Sequence, residues 1–197
     1  MMIGRKLKYR LKRKNEYHIH SPFVYELYTK VIRERQHSNV DYDLVVRVGK
    51  MLDKKKHIMK TRRRLARFFY RYAAYYEQDV LTLFGSVTAM NTAAFALGNP
   101  HSKVKVGRLC DFADTLNALG IVNVECFEMD DALQYCLGHR GEDTTFVFEG
   151  IHDDKDSEAL WNAFCEHPDV TLTIDFYHAG MIIFREGMEK QHFVLRI

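Results

Sequence analysis

One stretch of the chain has the order of residue types that brings a backbone close to a small ligand. Val80 to Pro100 reads VLTLFGSVTAMNTAAFALGNP, in which a short apolar run ends at Phe84 and Gly85. A small-residue helical pattern follows from about Met90 to Leu97. A buried strand, a tight turn and a helix start, in that order, form the ligand-binding corner of a doubly wound α/β sheet. The chemistry expected at this corner is the binding of a nucleotide-like cofactor.

A second chemical pattern, basic and aromatic residues in alternation, precedes this stretch. One helical face carries five apolar or aromatic side chains: Leu65, Phe68, Phe69, Tyr72 and Tyr76. Arg63, Arg67 and Arg71 share another face at i, i+4, i+8 spacing. Such alternation is found in proteins that bind single-stranded nucleic acid, where bases stack on aromatic rings. The aromatic residues share one face, however, so a buried stripe opposite a solvated arginine face is the preferred interpretation.

Composition and charge indicate a globular protein with a basic N-terminal part. The chain has 197 residues, 47% of them hydrophobic, and no apolar run of the length that a membrane span needs. Residues 1–71 contain 21 Lys and Arg against 6 Asp and Glu, whereas the remainder contains 8 against 20. This asymmetry fits a surface for nucleic acid or an acidic partner, and equally a basic layer docked on its own acidic domain. The basic start has no apolar segment behind it, so we expect no secretion signal.

The cysteines and the N-terminal histidines give weaker signals. Four cysteines without CxxC spacing, at positions 110, 126, 136 and 165, favour reduced core residues and a cytoplasmic location. His18 and His20 are more simply explained as polar residues at a helix entry than as metal ligands, and no metal site is predicted.

The remaining pattern predicts alternating helices and strands. Ser21 and Pro22 should begin a helix that reaches about Arg35, and a polar loop over 36–43 should precede a helix over 44–51. Strands are predicted at 80–84, 102–107, 122–127 and 144–148, with helices at 112–119, 131–137 and 157–166. Gly120 is expected to cap the first of these helices. Residues 170–185 and 192–197 predict two or three strands, antiparallel at the sheet edge. The fold class is therefore α/β with an open, mostly parallel sheet.

Three segments carry a resemblance to a known family. HIHSPFVYELYTKVI near the start, LGNPHSKVKV in the middle, and HPDVTLTIDFYHAGMIIFR with KQHFVLRI at the end are similar to a family of class I S-adenosylmethionine-dependent methyltransferases common in Bacteroidetes. The resemblance implies a Rossmann-like methyltransferase sheet, shortened by about one strand–helix unit, whose last strands form a hairpin. It also implies a helical N-terminal region, 1–76, before a methyltransferase domain, 77–197. The cofactor that it implies is S-adenosylmethionine.

The resemblance also assigns roles to individual residues. Gly85, Ser86 and Ala89 lie at the glycine-rich turn that contacts the cofactor, with Ala89 in place of a second glycine. Asp130 lies in the segment that usually contacts the adenine. Two positions depart from the family pattern, because Leu83 and Arg108 stand where acidic residues normally hold the cofactor. Arginine has no hydrogen-bond acceptor, so the ribose hydroxyls lose their usual partner.

The catalytic residues implied by the resemblance are Glu149 and His152. FVFEGIHDD matches the family's late strand, so this acid and this histidine are candidates for a general base or for hard-metal ligands. The alternative is that they are ordinary polar residues at a strand end. Two functions remain open: a methyltransferase with unusual cofactor contacts and an unknown methyl acceptor, or a non-catalytic module. The module would bind nucleic acid or an acidic partner through the basic N-terminal region.

Overall fold

The structure is a computed structural model that describes residues 9, 19–34, 39–52, 60–77, 80–84, 89–107, 119–123, 129–138, 140, 144–185 and 187–197. Helices in these ranges are α1 (Pro22–Glu26), α2 (Asn39–Leu52), α3 (Lys60–Tyr76), α4 (Ala89–Gly98), α5 (Met129–Gly138) and α6 (Lys155–Glu166). A π-helical segment, Leu27–Ile32, continues α1. Strands are β1 (Val80–Phe84), β2 (Lys103–Gly107), β3 (Leu119–Asn123), β4 (Thr145–Glu149), β5 (Leu172–Asp175), β6 (Ala179–Ile183) and β7 (Gln191–Val194). None of the helices in the described ranges is long and apolar enough to cross a membrane.

The described strands form one sheet in the order β2-β1-β3-β4-β6-β5-β7. Strands β1 to β4 pair in parallel, β6 runs antiparallel to both β4 and β5, and β7 runs parallel to β5. The predicted α/β class with an open, mostly parallel sheet is confirmed. Since β2 lies on one side of β1 and β3 on the other, the strand order reverses beside β1, and ligands of such sheets bind at this reversal.

Both faces of the sheet are covered, so the molecule has three layers. One face packs against α1, its π-helical continuation, α3 and α4, through side chains such as Phe68, Phe95, Val147 and Met181. The opposite face packs against α5 and α6, through side chains such as Phe148, Trp161 and Phe164. The predicted boundary between residues 1–76 and 77–197 is a sequence expectation, and side chains from both sides of it share the first core.

Local sequence signals explain where α1 begins. Ser21 is the N-cap with an extended backbone, its Oγ accepts a hydrogen bond from the Val24 backbone N–H at 3.4 Å, and Pro22 is the first helical residue. The helical segment ends at Ile32 rather than near Arg35. Arg71 of α3 explains this end, because its guanidinium donates to the backbone oxygens of Ile32 at 3.3 Å and Glu34 at 3.1 Å.

The stripe predicted on α3 is confirmed, with one change to the arginine face. Leu65, Phe68, Phe69 and Tyr72 are buried and Tyr76 is half-buried. Arg63 and Arg67 are exposed as predicted, but Arg71 is half-buried, since it binds the backbone carbonyl groups of Ile32 and Glu34 at the end of the π-helical segment. The arginine face is therefore solvated over its first two turns only.

Three element predictions were wrong in detail. Helix α2 begins at Asn39, inside the stretch predicted as a loop. Gly120 is not a helix cap: it lies in β3 between Thr82 of β1 and Phe146 of β4, because pairing on both sides extends that strand backwards to Leu119. The last strand, β7, is parallel to β5 instead of antiparallel, since the chain crosses back before entering the sheet edge. The helix predicted over 112–119 otherwise lies outside the described residues.

Candidate functional site

The carboxyl ends of β1, β3 and β4 meet at one edge of the sheet. Phe84 at the end of β1 pairs with Val122, and Asn123 at the end of β3 pairs with Glu149. Helix α4 begins at Ala89, shortly after β1 ends, and α5 begins at Met129, shortly after β3. The edge is therefore the crevice at the strand-order reversal, where a ligand of an open α/β sheet is expected. We call this region the cofactor corner.

Only some of the residues predicted to line the cofactor site belong to the part of the chain that the structure describes. Gly85, Ser86 and Arg108 lie outside the described residues. Ala89 is the first residue of α4 and Asp130 is the second residue of α5, so both backbones lie at helix starts. Helix N-termini present unpaired backbone N–H groups, which suits the binding of a polar ligand.

A buried amide–carboxylate contact joins α4 to β4 at this edge. Asn91 Nδ2 donates a hydrogen bond to Oε1 of Glu149. Asn91 is 1% exposed, and its Oδ1 is buried with no hydrogen-bond partner in the part of the chain that the structure describes. A buried acceptor without a donor costs about 1–3 kcal/mol, so a ligand that supplies a donor here is favoured. Sequence reasoning missed Asn91, although a polar residue inside an apolar, small-residue helix was a usable signal.

His152 belongs to a different set of contacts. It follows a tight turn at Gly150, whose φ of +77° suits glycine and whose N–H donates to the carbonyl of His178 at 2.8 Å. His152 Nε2 lies 2.9 Å from Oδ2 of Asp175, and its Nδ1 lies 3.8 Å from Oε1 of Glu158. The predicted pair, Glu149 and His152, is thus divided between two sets of partners. Sequence reasoning also missed Asp175, which is 5% exposed at the end of β5.

His152 and Asp175 lie in the wall of a pocket of about 240 Å³ between α6 and the β5–β7 edge. Its lining residues are Tyr9, His152, Glu158, Trp161, Asn162, Cys165, Asp175, Tyr177, His192 and Val194. We call this space the edge pocket. Residues alternate faces along a strand: Glu149 shares a face with Val147, which packs on the α4 side, whereas the edge pocket lies on the α6 side. The edge pocket and the cofactor corner are therefore on opposite faces of the sheet.

Cys165 contributes no nucleophile to the edge pocket. Burial raises the pKa of its thiol to about 11, and a hydrogen bond to Thr173 only partly opposes that rise. Its Sγ lies 3.6 Å from Nδ1 of His192, which is itself 2.7 Å from Oγ1 of Thr173. Since the thiolate is the reactive form, Cys165 stays a protonated thiol at neutral pH.

Comparison with known proteins identifies solved structures of similar fold. A crystal structure described as cofactor-bound Rv0187 from MTB has a TM-score of 0.53 at 11% identity, over 77% of this chain and 93% of that chain. An SAH-bound Podospora anserina methyltransferase, PaMTH1, has a TM-score of 0.49 at 9% identity, over 83% and 94% of the two chains. An O-methyltransferase from Bacillus cereus in complex with SAH has a TM-score of 0.47 at 9% identity, over 82% and 97%.

In sequence, by contrast, neither a protein-family model nor a curated protein matches the chain. The comparisons therefore concern its fold. The likeness to Rv0187 shows that the chain has an open, Rossmann-like α/β fold.

Proposed function

We propose that this protein binds S-adenosylmethionine at the cofactor corner and transfers a methyl group to an acceptor not yet identified. The observation that carries the proposal is the reversal of strand order beside β1, with Asn91 and Glu149 at the same sheet edge. The likeness in fold to a cofactor-bound structure supports the binding of a cofactor. The choice of cofactor, and the link to a Bacteroidetes family, come from the resemblance of the N- and C-terminal segments.

The described residues of the corner fit this cofactor. S-adenosylmethionine is a cation that also carries amino and hydroxyl donors, and the corner offers the carboxylate of Glu149 and the unpartnered Oδ1 of Asn91. When bound, the cofactor supplies a methyl group on a sulfonium centre. Within the proposal, Gly85, Ser86 and Ala89 approach it through their backbone, and Asp130 binds the adenine end.

Glu149, at the end of β4, is proposed to take over the role of the acidic residues expected at two other positions of the corner. Leu83 and Arg108 stand where acidic residues are expected, so the corner needs another negative group to favour a cation. Glu149 supplies it from the neighbouring part of the sheet, held in place by Asn91. Methyl transfer depends mainly on alignment and exclusion of water, so a rearranged set of contacts is compatible with activity.

Calorimetric titration of the full chain with S-adenosylmethionine tests this proposal. We expect saturable binding by the wild type and a dissociation constant at least tenfold higher for Glu149→Gln. That change keeps the acceptor for Asn91 but removes the charge, and charge-assisted bonds are worth about 1.5–3 kcal/mol. Glu189→Gln, at an exposed position, is the matched control and should bind like the wild type. Absence of heat from folded wild-type protein at millimolar cofactor would reject the proposal.

A second function, a non-catalytic module that binds nucleic acid, has one structural observation in its favour. Arg63, Arg64 and Arg67 are exposed together on the first turns of α3. When a protein binds DNA through phosphate contacts, the logarithm of the association constant falls linearly with the logarithm of the salt concentration. The slope is about −0.9 for each phosphate contact on duplex DNA. This second proposal is an alternative to methyl transfer. A cytoplasmic location is expected under both proposals.

A gel-shift assay at several salt concentrations measures that slope. Replacing Arg63, Arg64 and Arg67 with glutamine should flatten it, whereas replacing three exposed cations elsewhere should not. The control positions are Lys103, Lys155 and Arg196. No shift of mixed DNA and RNA at low salt would exclude nucleic acid as the partner.

A further inference from the structure

Two hydrogen-bond acceptors face each other in the edge pocket. The ionised carboxylate of Asp175 can only accept, so the ring proton of a neutral His152 lies on Nε2, 2.9 Å from Oδ2. Nδ1 of His152 is then an acceptor, and it faces Oε1 of Glu158 at 3.8 Å. A donor between these two atoms, or a second proton on the ring, would make their contact favourable.

The separation of these two acceptors suits a single nitrogen. A nitrogen at about 2.8 Å from each, the usual length of a charge-assisted hydrogen bond, spans a gap of 3.8 Å. An alkylammonium group has three N–H donors, so it can donate to both acceptors at once and keep one donor for solvent. A neutral hydroxyl has only one donor and cannot satisfy both.

Charge and aromatic rings in the pocket favour a cation as well. Its lining includes the carboxylates of Glu158 and Asp175, and neither lysine nor arginine is among the described residues that line it. The ring of Tyr177 lies 5.4 Å from that of His152, centroid to centroid, and the ring of Tyr9 lies 5.0 Å from that of Tyr177. Aromatic side chains therefore lie beside His152 in the pocket wall, and aromatic rings can attract a cation that binds over their faces.

The backbone around Tyr177 holds its ring at this place. Tyr177 has a φ of +74°, a conformation that costs free energy for a residue with a side chain. Its N–H donates to Oδ1 of Asp175 at 2.6 Å, so one carboxylate orients both the imidazole and the tyrosine. Such strained residues are found often at binding sites, where the surrounding structure fixes them.

We propose that the edge pocket binds an alkylammonium group, from a small primary amine or from a lysine side chain, between Nδ1 of His152 and the carboxylate of Glu158. The volume of about 240 Å³ lies below the range of pockets for drug-sized ligands, which suits a group of few atoms. Asn162 and His192 are exposed at the pocket, so a ligand reaches it from solvent. This site lies on the sheet face opposite the cofactor corner and does not depend on methyl transfer.

Titration of the full chain with n-butylammonium tests the proposal. We expect saturable binding that Glu158→Gln weakens at least tenfold, because a charge-assisted hydrogen bond is lost and the glutamine amide can itself donate to Nδ1. Glu166→Gln, an exposed change on the same helix, is the matched control and should leave binding unchanged. 1-Butanol, which has the same chain length without the charge, should not bind. Binding of S-adenosylmethionine, measured in parallel, should be the same in all three proteins.

Nitrogen NMR of the His152 ring gives a second readout that does not need a variant. We expect a shift of the His152 Nδ1 resonance when n-butylammonium is added to the free protein. If a lysine-containing peptide displaces n-butylammonium at a concentration tenfold lower than the free amine needs, the natural ligand is a lysine side chain of a protein. The same peptide with an acetylated lysine is the control. A peptide weaker than the free amine would assign the natural ligand to small molecules. Two protonated ring nitrogens in the free protein, or no shift with either probe, would overturn the proposal.

Discussion

Asp154 begins the helix that carries Glu158 and Trp161. Its backbone is extended and its Oδ1 accepts a hydrogen bond from the Ser157 N–H at 2.7 Å, so it is the N-cap of α6. The hydrogen bond from Ser157 holds the pKa of Asp154 below its ordinary value. Because the folded state prefers the ionised carboxylate, the stabilisation is complete above the unfolded pKa of about 3.9. It is lost as the pH falls through the lower folded value.

Replacement of this cap should have a pH-dependent cost. Asp154→Ala is expected to lower the free energy of unfolding by about 1 kcal/mol at pH 7, and the difference from wild type should narrow below about pH 4. Urea unfolding followed from pH 7 to pH 3 measures both effects. Asp154→Asn keeps a capping oxygen that does not titrate, so it should stay close to wild type at pH 7. An Asp154→Ala deficit of constant size at every pH would contradict this role of the carboxylate.

Each of the two sites is formed by residues that are far apart in the sequence and meet only in the fold. Glu149 and His152 were selected from the sequence through the family resemblance of the segment FVFEGIHDD. Their partners could not be selected in this way: Asn91 is 58 positions from Glu149, and Asp175 is 23 positions from His152. A carboxylate at a strand end and an amide in a helix are ordinary residues until the sheet order brings them to one edge.

At the scale of elements, local sequence patterns predict that a helix or strand exists better than they predict which strands pair. The strand over Val80–Phe84 and the start of α1 at Pro22 were predicted from apolar runs and capping residues alone. Gly120 was misassigned because glycine is typical of a helix C-cap, and only its pairing with β1 and β4 shows that it lies inside a strand. Gly180 has a requirement that only packing reveals, since a Cβ there would collide with the ring of Trp161 on α6. Sequence periodicity does not encode such pairings.

At the scale of the molecule, the basic N-terminal helices complete the core of the sheet. Phe68 of α3 is fully buried, and its ring centroid lies 4.9 Å from that of Phe176 after β5. The Tyr72 hydroxyl donates to Oγ1 of Thr145 on β4 at 3.0 Å. The layer that supplies the positive charge of residues 1–71 therefore also supplies apolar side chains that the sheet needs on that face.

We expect this shared core to make the chain unfold as one unit. Phe68→Ala should lower the free energy of unfolding by about 3–5 kcal/mol, through lost burial and the cavity that remains. Trp161 is the single tryptophan and lies on the opposite face, so its fluorescence reports the far side of the sheet. In urea, that fluorescence and far-UV circular dichroism should shift together to a lower midpoint. Arg64→Ala, an exposed change on the same helix, should leave both unchanged. If residues 1–76 instead folded independently of 77–197, the Trp161 transition would keep its wild-type midpoint in Phe68→Ala.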